Sequence, residues 1–228
     1  DFEATDSMDN LIRSVIWKYL EPEEQRFLIA VSLLERFTVE QAHILLGKDI
    51  LPAGIVRLLG GGSFIHYERD SGAYTLHSLL QSFLRQERRG LSADAIREMQ
   101  KLAADAYAAV GERFYALCGY LEAGELESLL SLPIIAADFS LYPEADSAEV
   151  LERVFRECDR EILVRHPHTL SMINFELFRA GSYAAFEKGC SLMEDMISRP
   201  EQNGLHEEDI RILTGQLAML QSFAAFND

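Results

Sequence analysis

The sequence predicts a mainly α fold in two parts: a helical unit with a small two-stranded β wing over residues 1–91, then a stack of helix pairs over residues 92–228. Three observations carry this expectation. Apolar residues recur at helical spacing through most of the chain. The period shortens to strand-like runs only once, between Phe64 and Leu76. Glycine and proline punctuate the helical patterns, as at Gly47, Gly60–Gly62, Gly111 and Pro200.

The elements follow in order. Glu21-Pro22-Glu23-Glu24 suits a helix start, with Pro in the first turn and carboxylates near the positive end of the helix dipole. Phe27, Leu28, Val31 and Leu34 make the apolar stripe behind it. Thr38-Val39-Glu40-Gln41 fits a capping box, in which hydroxyl and amide each satisfy a free backbone N–H, and the helix it opens stops at Gly47. A third helix is expected from Ile50 to Leu59, ending at the three glycines. Phe64-Ile65-His66-Tyr67 and Tyr74-Thr75-Leu76 then read as strands around the turn Glu68 to Gly72. A helix resumes at about His77, with Leu79, Leu80, Phe83 and Leu84 apolar and Arg85, Arg88 and Arg89 toward its negative end. Helix, helix, helix, wing, helix is the order of a winged-helix unit.

From Ser92 only helices are expected. Ile96, Met99, Ala103, Ala106, Tyr107 and Val110 hold one face up to Gly111, and a second helix runs from Glu112 to Ala123. Leu132 to Pro143 is aperiodic and reads as a loop. Beyond it, helices are expected over Ser147–Val164, Thr169–Arg179, Ser182–Ile197 and Glu207–Phe226. Stacked pairs, as in a solenoid, fit this pattern better than a closed bundle.

Composition narrows the function. With 228 residues and 48% apolar content the chain can bury substantial cores. No apolar run is long enough to cross a bilayer, and Asp1-Phe2-Glu3-Ala4 lacks the character of a signal peptide, so a cytoplasmic location is expected, with no membrane partner. Without an initiator Met, the chain reads as a piece of a longer protein. Residues 1–91 carry 10 Lys and Arg against 13 Asp and Glu, and residues 92–228 carry 11 against 24. Direct nucleic-acid binding is not expected, because a phosphate backbone needs a basic surface to displace its counterions. Cys118, Cys158 and Cys190 are odd in number and far apart, and read as buried thiols.

Catalytic motifs are missing. There is no phosphate-binding Gly-x-x-x-x-Gly-Lys loop, no Gly-x-Ser-x-Gly, no Cys-x-x-Cys and no His-Glu-x-x-His, so the chain reads as non-enzymatic. Gly60-Gly61-Gly62 precedes a strand instead of following one, the reverse of a phosphate cradle, and reads as a helix stop. His166-Pro167-His168 has no ligand partner at helical spacing; the proline favours an exposed extended turn, and no metal is expected. Glu207-Glu208-Asp209 complements a helix dipole. His77 stands apart, because its ring sits where a strand meets a helix N-terminus; position alone favours an ordinary junction residue.

The stretch Glu24-Gln25-Arg26-Phe27-Leu28, Ser32 to Thr38, Gln41-Ala42, Ser63-Phe64-Ile65 and Tyr74 to Leu84 resembles the segment after the ATPase module in MalT-like, LuxR-type transcription regulators, which belong to the signal-transduction ATPases with numerous domains. Ala103-Ala104, Tyr107, Gly111 and Tyr120 to Gly124 are similar to the family's helical arm, and Leu177 to Tyr183 to the opening of its tetratricopeptide-like superhelix. The resemblance implies that the winged helix docks on the nucleotide-binding module of the parent chain. It also implies that a histidine of a Met-His-Asp-like motif contacts an ADP phosphate in the resting state. Leu76-His77-Ser78 keeps only the histidine, which makes His77 the candidate phosphate sensor; Ser78 could replace the family's Asp as a cap. The ATP-binding motifs and the LuxR-type DNA-binding helices lie outside this sequence, so no cofactor is expected within it.

Two functions follow. One is a non-catalytic segment that couples nucleotide state to a helical domain receiving a protein or small-molecule effector. The alternative is an autonomous winged-helix DNA-binding regulator with a helical effector-binding domain. The presumed recognition helix, Ile50 to Leu59, speaks against the alternative: Arg57 is its only basic residue, and the wing offsets His66 and Arg69 with Glu68 and Asp70.

Overall fold

The computed structural model describes residues 2–62, 64–140 and 144–225, and the chain divides into two compact units, Asp1–Gly111 and Glu112–Asp228. The first unit begins with a helix the sequence reading did not anticipate, α1 (Phe2–Val15), followed by a 3-10 turn at Trp17–Tyr19. Ile12 and Trp17 are buried, and the Trp17 ring meets the Phe83 ring edge-on at 5.3 Å. Arg13 pairs with Glu87, and Gln86 donates to the buried Asp9 carboxylate.

The helix α2 (Pro22–Val31) has Pro22 in its first turn and a capping box in which the Glu21 N–H donates to Glu24 Oε2 at 2.9 Å. Glu24 is therefore more than a dipole partner, being only 8% exposed. α3 (Val39–Leu46) opens as expected. The Gln41 N–H donates to Thr38 Oγ1 at 3.2 Å, the Thr38 N–H donates to Gln41 Oε1 at 2.9 Å, and Gly47 ends the helix at φ +61°. α4 (Ala53–Gly60) starts three residues later than the periodicity suggested, because Pro52 holds the extended N-cap conformation and Ile50 stays exposed. Gly54 in its first turn lies against the Glu24 carboxylate, where a Cβ would collide.

The wing is the antiparallel pair β1 (Ile65–Glu68) and β2 (Ala73–Leu76), in register from Ile65↔Leu76 to Glu68↔Ala73. A third chain segment joins it. Phe37 and Tyr74 exchange backbone hydrogen bonds of 2.9 and 2.7 Å, and Phe37, 1% exposed, stacks on Tyr74 and meets Phe27 edge-on. β2 leads into α5 (Ser78–Arg89), whose Leu80, Phe83 and Leu84 are buried.

The unit closes with α6 (Ala93–Ala109), which packs on α2 and α3. Tyr107 Oη accepts from the Glu35 N–H at 3.1 Å, and Gln41 Nε2 donates to the Ala106 carbonyl at 3.3 Å. These bonds tie α6 to the winged helix, so contacts divide the chain at Gly111 and not at the expected 91/92 break.

In the second unit α7 (Arg113–Ala123) turns at Gly124, φ +74°, into the short α8 (Leu126–Leu130). The expected loop contains a 3-10 turn at Ala136–Asp138, capped by the Ile135 N–H donating to Asp138 Oδ2 at 2.8 Å; its residues 141–143 lie outside the described residues. The single helix expected over Ser147–Val164 is two, α9 (Glu144–Glu157) and α10 (Arg160–Leu163), because Asp159 adopts extended backbone and serves as N-cap of the second. α11 (Pro167–Arg179), α12 (Tyr183–Ser198) and α13 (Glu207–Ala225) follow; Phe226 of the expected last helix lies outside the described residues. Pro167 opens α11 at its first position and does not form the extended turn expected between the two histidines. α11 packs against α9, α12 and α13, and Leu151, Leu170, Ile173, Leu177, Met193 and Leu213 are fully buried. Each such side chain contributes roughly 1.5–3 kcal/mol relative to exposure.

One polar contact fixes the spacing of α11 and α12. Asn174, fully buried, donates from its amide to the Phe186 carbonyl at 3.0 Å and accepts from the Cys190 N–H at 3.2 Å. A Cβ at Gly189 would strike that amide. Gly215 is also helical but meets nothing within 4 Å. Gly215→Ala should therefore raise stability by up to about 1 kcal/mol on helix propensity, whereas Gly189→Ala should lower it by about 1–3 kcal/mol through overpacking. Chemical denaturation of both variants checks this, and equal signs would contradict the close approach.

Candidate functional site around His77

His77 is the residue after β2 and the N-cap of α5, with φ −61° and ψ 138°. Its N–H donates to the Phe64 carbonyl at 2.8 Å, which carries the wing ladder one step past the Ile65–Leu76 pair. Its ring meets the edge of Phe64, and Nδ1 accepts from the Leu79 N–H at 3.3 Å. His77 thus caps its own helix, a role expected of Ser78 if of any residue here. An Nδ1 that accepts cannot carry the proton, so the neutral imidazole is the Nε2–H tautomer. The side chain is exposed, and α5 runs 12 residues behind it, with the positive end of its dipole at His77.

These residues suit a single phosphate oxygen: one N–H donor beside one helix N-terminus. They do not form a nucleotide cradle, since no glycine-rich phosphate loop accompanies them in the sequence. A bound nucleotide would supply the acceptor oxygen, and His77 would supply one hydrogen bond to it.

Phe64 also lines a cleft of about 270 Å³ with Ile16, Tyr19, Leu28, Leu58 and Leu80. At its wall Glu24 Oε1 lies 3.7 Å from Arg57 Nη2. Tyr19, which lines it, is 71% exposed, and Val56 of α4 and Leu79 of α5 are exposed as well. α4 offers solvent Val56 and an Arg57 that faces the Glu24 carboxylate.

The other sequence candidates are structural. His166 Nε2 lies 2.9 Å from Glu127 Oε1, and His168 Nε2 lies 3.3 Å from Asp209 Oδ1, so the two imidazoles turn to different carboxylates. The His166 hydrogen bond, aided by Arg165, lowers the Glu127 pKa. Among the described residues no group of three or more His, Cys, Asp or Glu is placed to hold a metal. The three cysteines are free thiols; Cys158 and Cys190 are buried and Cys118 is half-buried. Burial first, then nearby carboxylates, pushes the Cys118 and Cys158 thiols up to about 11, which suppresses the reactive thiolate. Among the described residues no helix is long and apolar enough to cross a membrane.

Residues 13–96 match the family model described as the MalT winged helix domain. No curated protein and no solved structure gives a match. The match spans the end of α1 through the start of α6 and includes the wing, the cleft and His77.

The capping geometry separates two substitutions. His77→Ala removes the side-chain acceptor and should cost about 0.5–2 kcal/mol, whereas His77→Asn keeps an N-cap oxygen and should cost little. Thermal denaturation of the chain reads the difference. Identical melting temperatures for the two variants would show that Nδ1 does not cap α5.

Proposed function

We propose, from the likeness of residues 13–96 to the MalT winged helix domain, that the chain is the non-catalytic coupling segment of a cytoplasmic, LuxR-type, ATP-dependent transcription regulator. In this reading the winged helix docks on the nucleotide-binding module of the parent through the apolar surface around the cleft. The helical second unit, read as the arm and the start of a tetratricopeptide-like superhelix, receives a protein or small-molecule signal. ATP or ADP is the parent's cofactor, and this segment contributes only the His77 contact.

The observation that carries the reading is the division of labour within one imidazole. Nδ1 accepts from the Leu79 N–H, which leaves Nε2–H of this exposed residue as the donor the ring can offer. A donor held this way loses little freedom on meeting a phosphate oxygen. If the contact exists only in the docked state, it biases the parent toward that state by its own free energy.

His77→Asn tests this in the parent protein, because asparagine keeps the cap yet is too short to reach the position of Nε2. ADP dissociation should accelerate by about tenfold, the equivalent of one charge-assisted hydrogen bond, with a shift toward the active form. Unchanged ADP retention in a folded His77→Asn parent would end the sensor reading.

A further inference from the structure

We infer that the groove between α9, α10 and α12 is a binding site for a small amphiphilic carboxylate, with the anion held by Arg156 and Lys188. The inference rests on the reading of the second unit as a signal receiver and gives that signal a chemical class. The groove measures about 530 Å³, within the range of small-molecule sites. Phe155, Leu163 and Leu192 provide its apolar surface, and Arg156, from the last turn of α9, and Lys188, from α12, line it with charge from two helices.

The charge pattern of the unit makes these two residues unusual. Residues 112–228 carry 9 Lys and Arg against 21 Asp and Glu, so carboxylate partners are abundant. Arg113, Arg153, Arg160, Arg165, Arg179, Arg199 and Arg211 each hold one. Among the described residues Arg156 and Lys188 hold none, and both line the same groove. Of the other charged residues that line the groove, Arg160 holds Asp195 and the Asn203 amide oxygen, and Glu152 accepts from the Ser182 hydroxyl at 2.7 Å. An anion in the groove would therefore find two available donors beside an apolar wall, the combination that fixes a ligand's head and tail. The acidic surroundings favour one negative charge over a phosphate's two. Cys158, buried in the groove wall with its thiol kept protonated, acts as apolar surface and not as a nucleophile.

The test titrates the chain with octanoate, octanol and octylammonium, which share a tail and differ in the head group, using calorimetry together with backbone amide shifts. Octanoate should bind with shifts confined to α9, α10 and α12, and about tenfold more tightly than octanol, with octylammonium weakest. Arg156→Gln with Lys188→Gln should bring octanoate down to the octanol level and leave octanol unchanged. Both side chains are exposed, so the melting temperature should hold, and Arg69→Gln in the wing should change nothing. Equal affinity for the three probes, or octanoate binding indifferent to the double substitution, overturns the site. So does capture of a Glu-rich peptide through Arg156 and Lys188 by a chain that ignores octanoate, since the groove would then serve a protein partner. Octanoate binding by the chain supports the site whatever the parent's ADP retention shows, so the two readings fail separately.

Discussion

The backbone exchange between Phe37 and Tyr74 is the contact on which the first unit depends. Two strands joined by a short turn are marginal by themselves in water. Here the wing acquires a third segment through bonds of 2.9 and 2.7 Å, and Phe37 is driven into the core between Phe27 and Tyr74. That exchange fixes β2 relative to α2 and α3. Because His77 follows β2 directly and takes its own ladder bond from Phe64, the orientation of the α5 N-terminus is inherited from the same contact. The chemistry at Nε2 is thus set by a hydrogen-bond pair three residues upstream in the strand.

Much of this was legible in the sequence because local signals and tertiary structure agree. Thr38 with Gln41, Gly47 at positive φ, and the turn around Gly72 each state a backbone conformation directly. Other features were not legible, for identifiable reasons. α1 is held by Ile12, by the Arg13–Glu87 pair and by Gln86 on Asp9, partners more than seventy residues away for the two polar contacts. The split between α9 and α10 rests on Asp159 taking extended backbone inside an unbroken apolar period. α6 has the same helical pattern whether it packs on the winged helix or elsewhere. Bonds across long sequence separations, among them those of the Tyr107 hydroxyl, of the Gln41 amide and of Arg26 with Glu98, tie it to the first unit.

The candidate site divides in the same way. His77 could be singled out from its position, but the assignment of its two nitrogens required the Leu79 contact. Arg156 and Lys188 gave no sequence signal, since they stand among many charges and are distinguished only by what fails to face them. The apolar cleft beside Glu24 was likewise hidden, because Gly54 reads as an ordinary residue near a helix start until its approach to the Glu24 carboxylate is seen.

The most direct measurement of the central claim is the tautomer of His77, read from the side-chain nitrogen shifts of the chain at a pH where imidazoles are neutral. The account predicts the proton on Nε2, with Nδ1 showing the shift of a hydrogen-bond acceptor and losing it when the α5 N-terminus is unfolded. A proton found on Nδ1 would contradict it, because the ring could then neither cap α5 nor offer a phosphate the donor on which the proposed coupling depends.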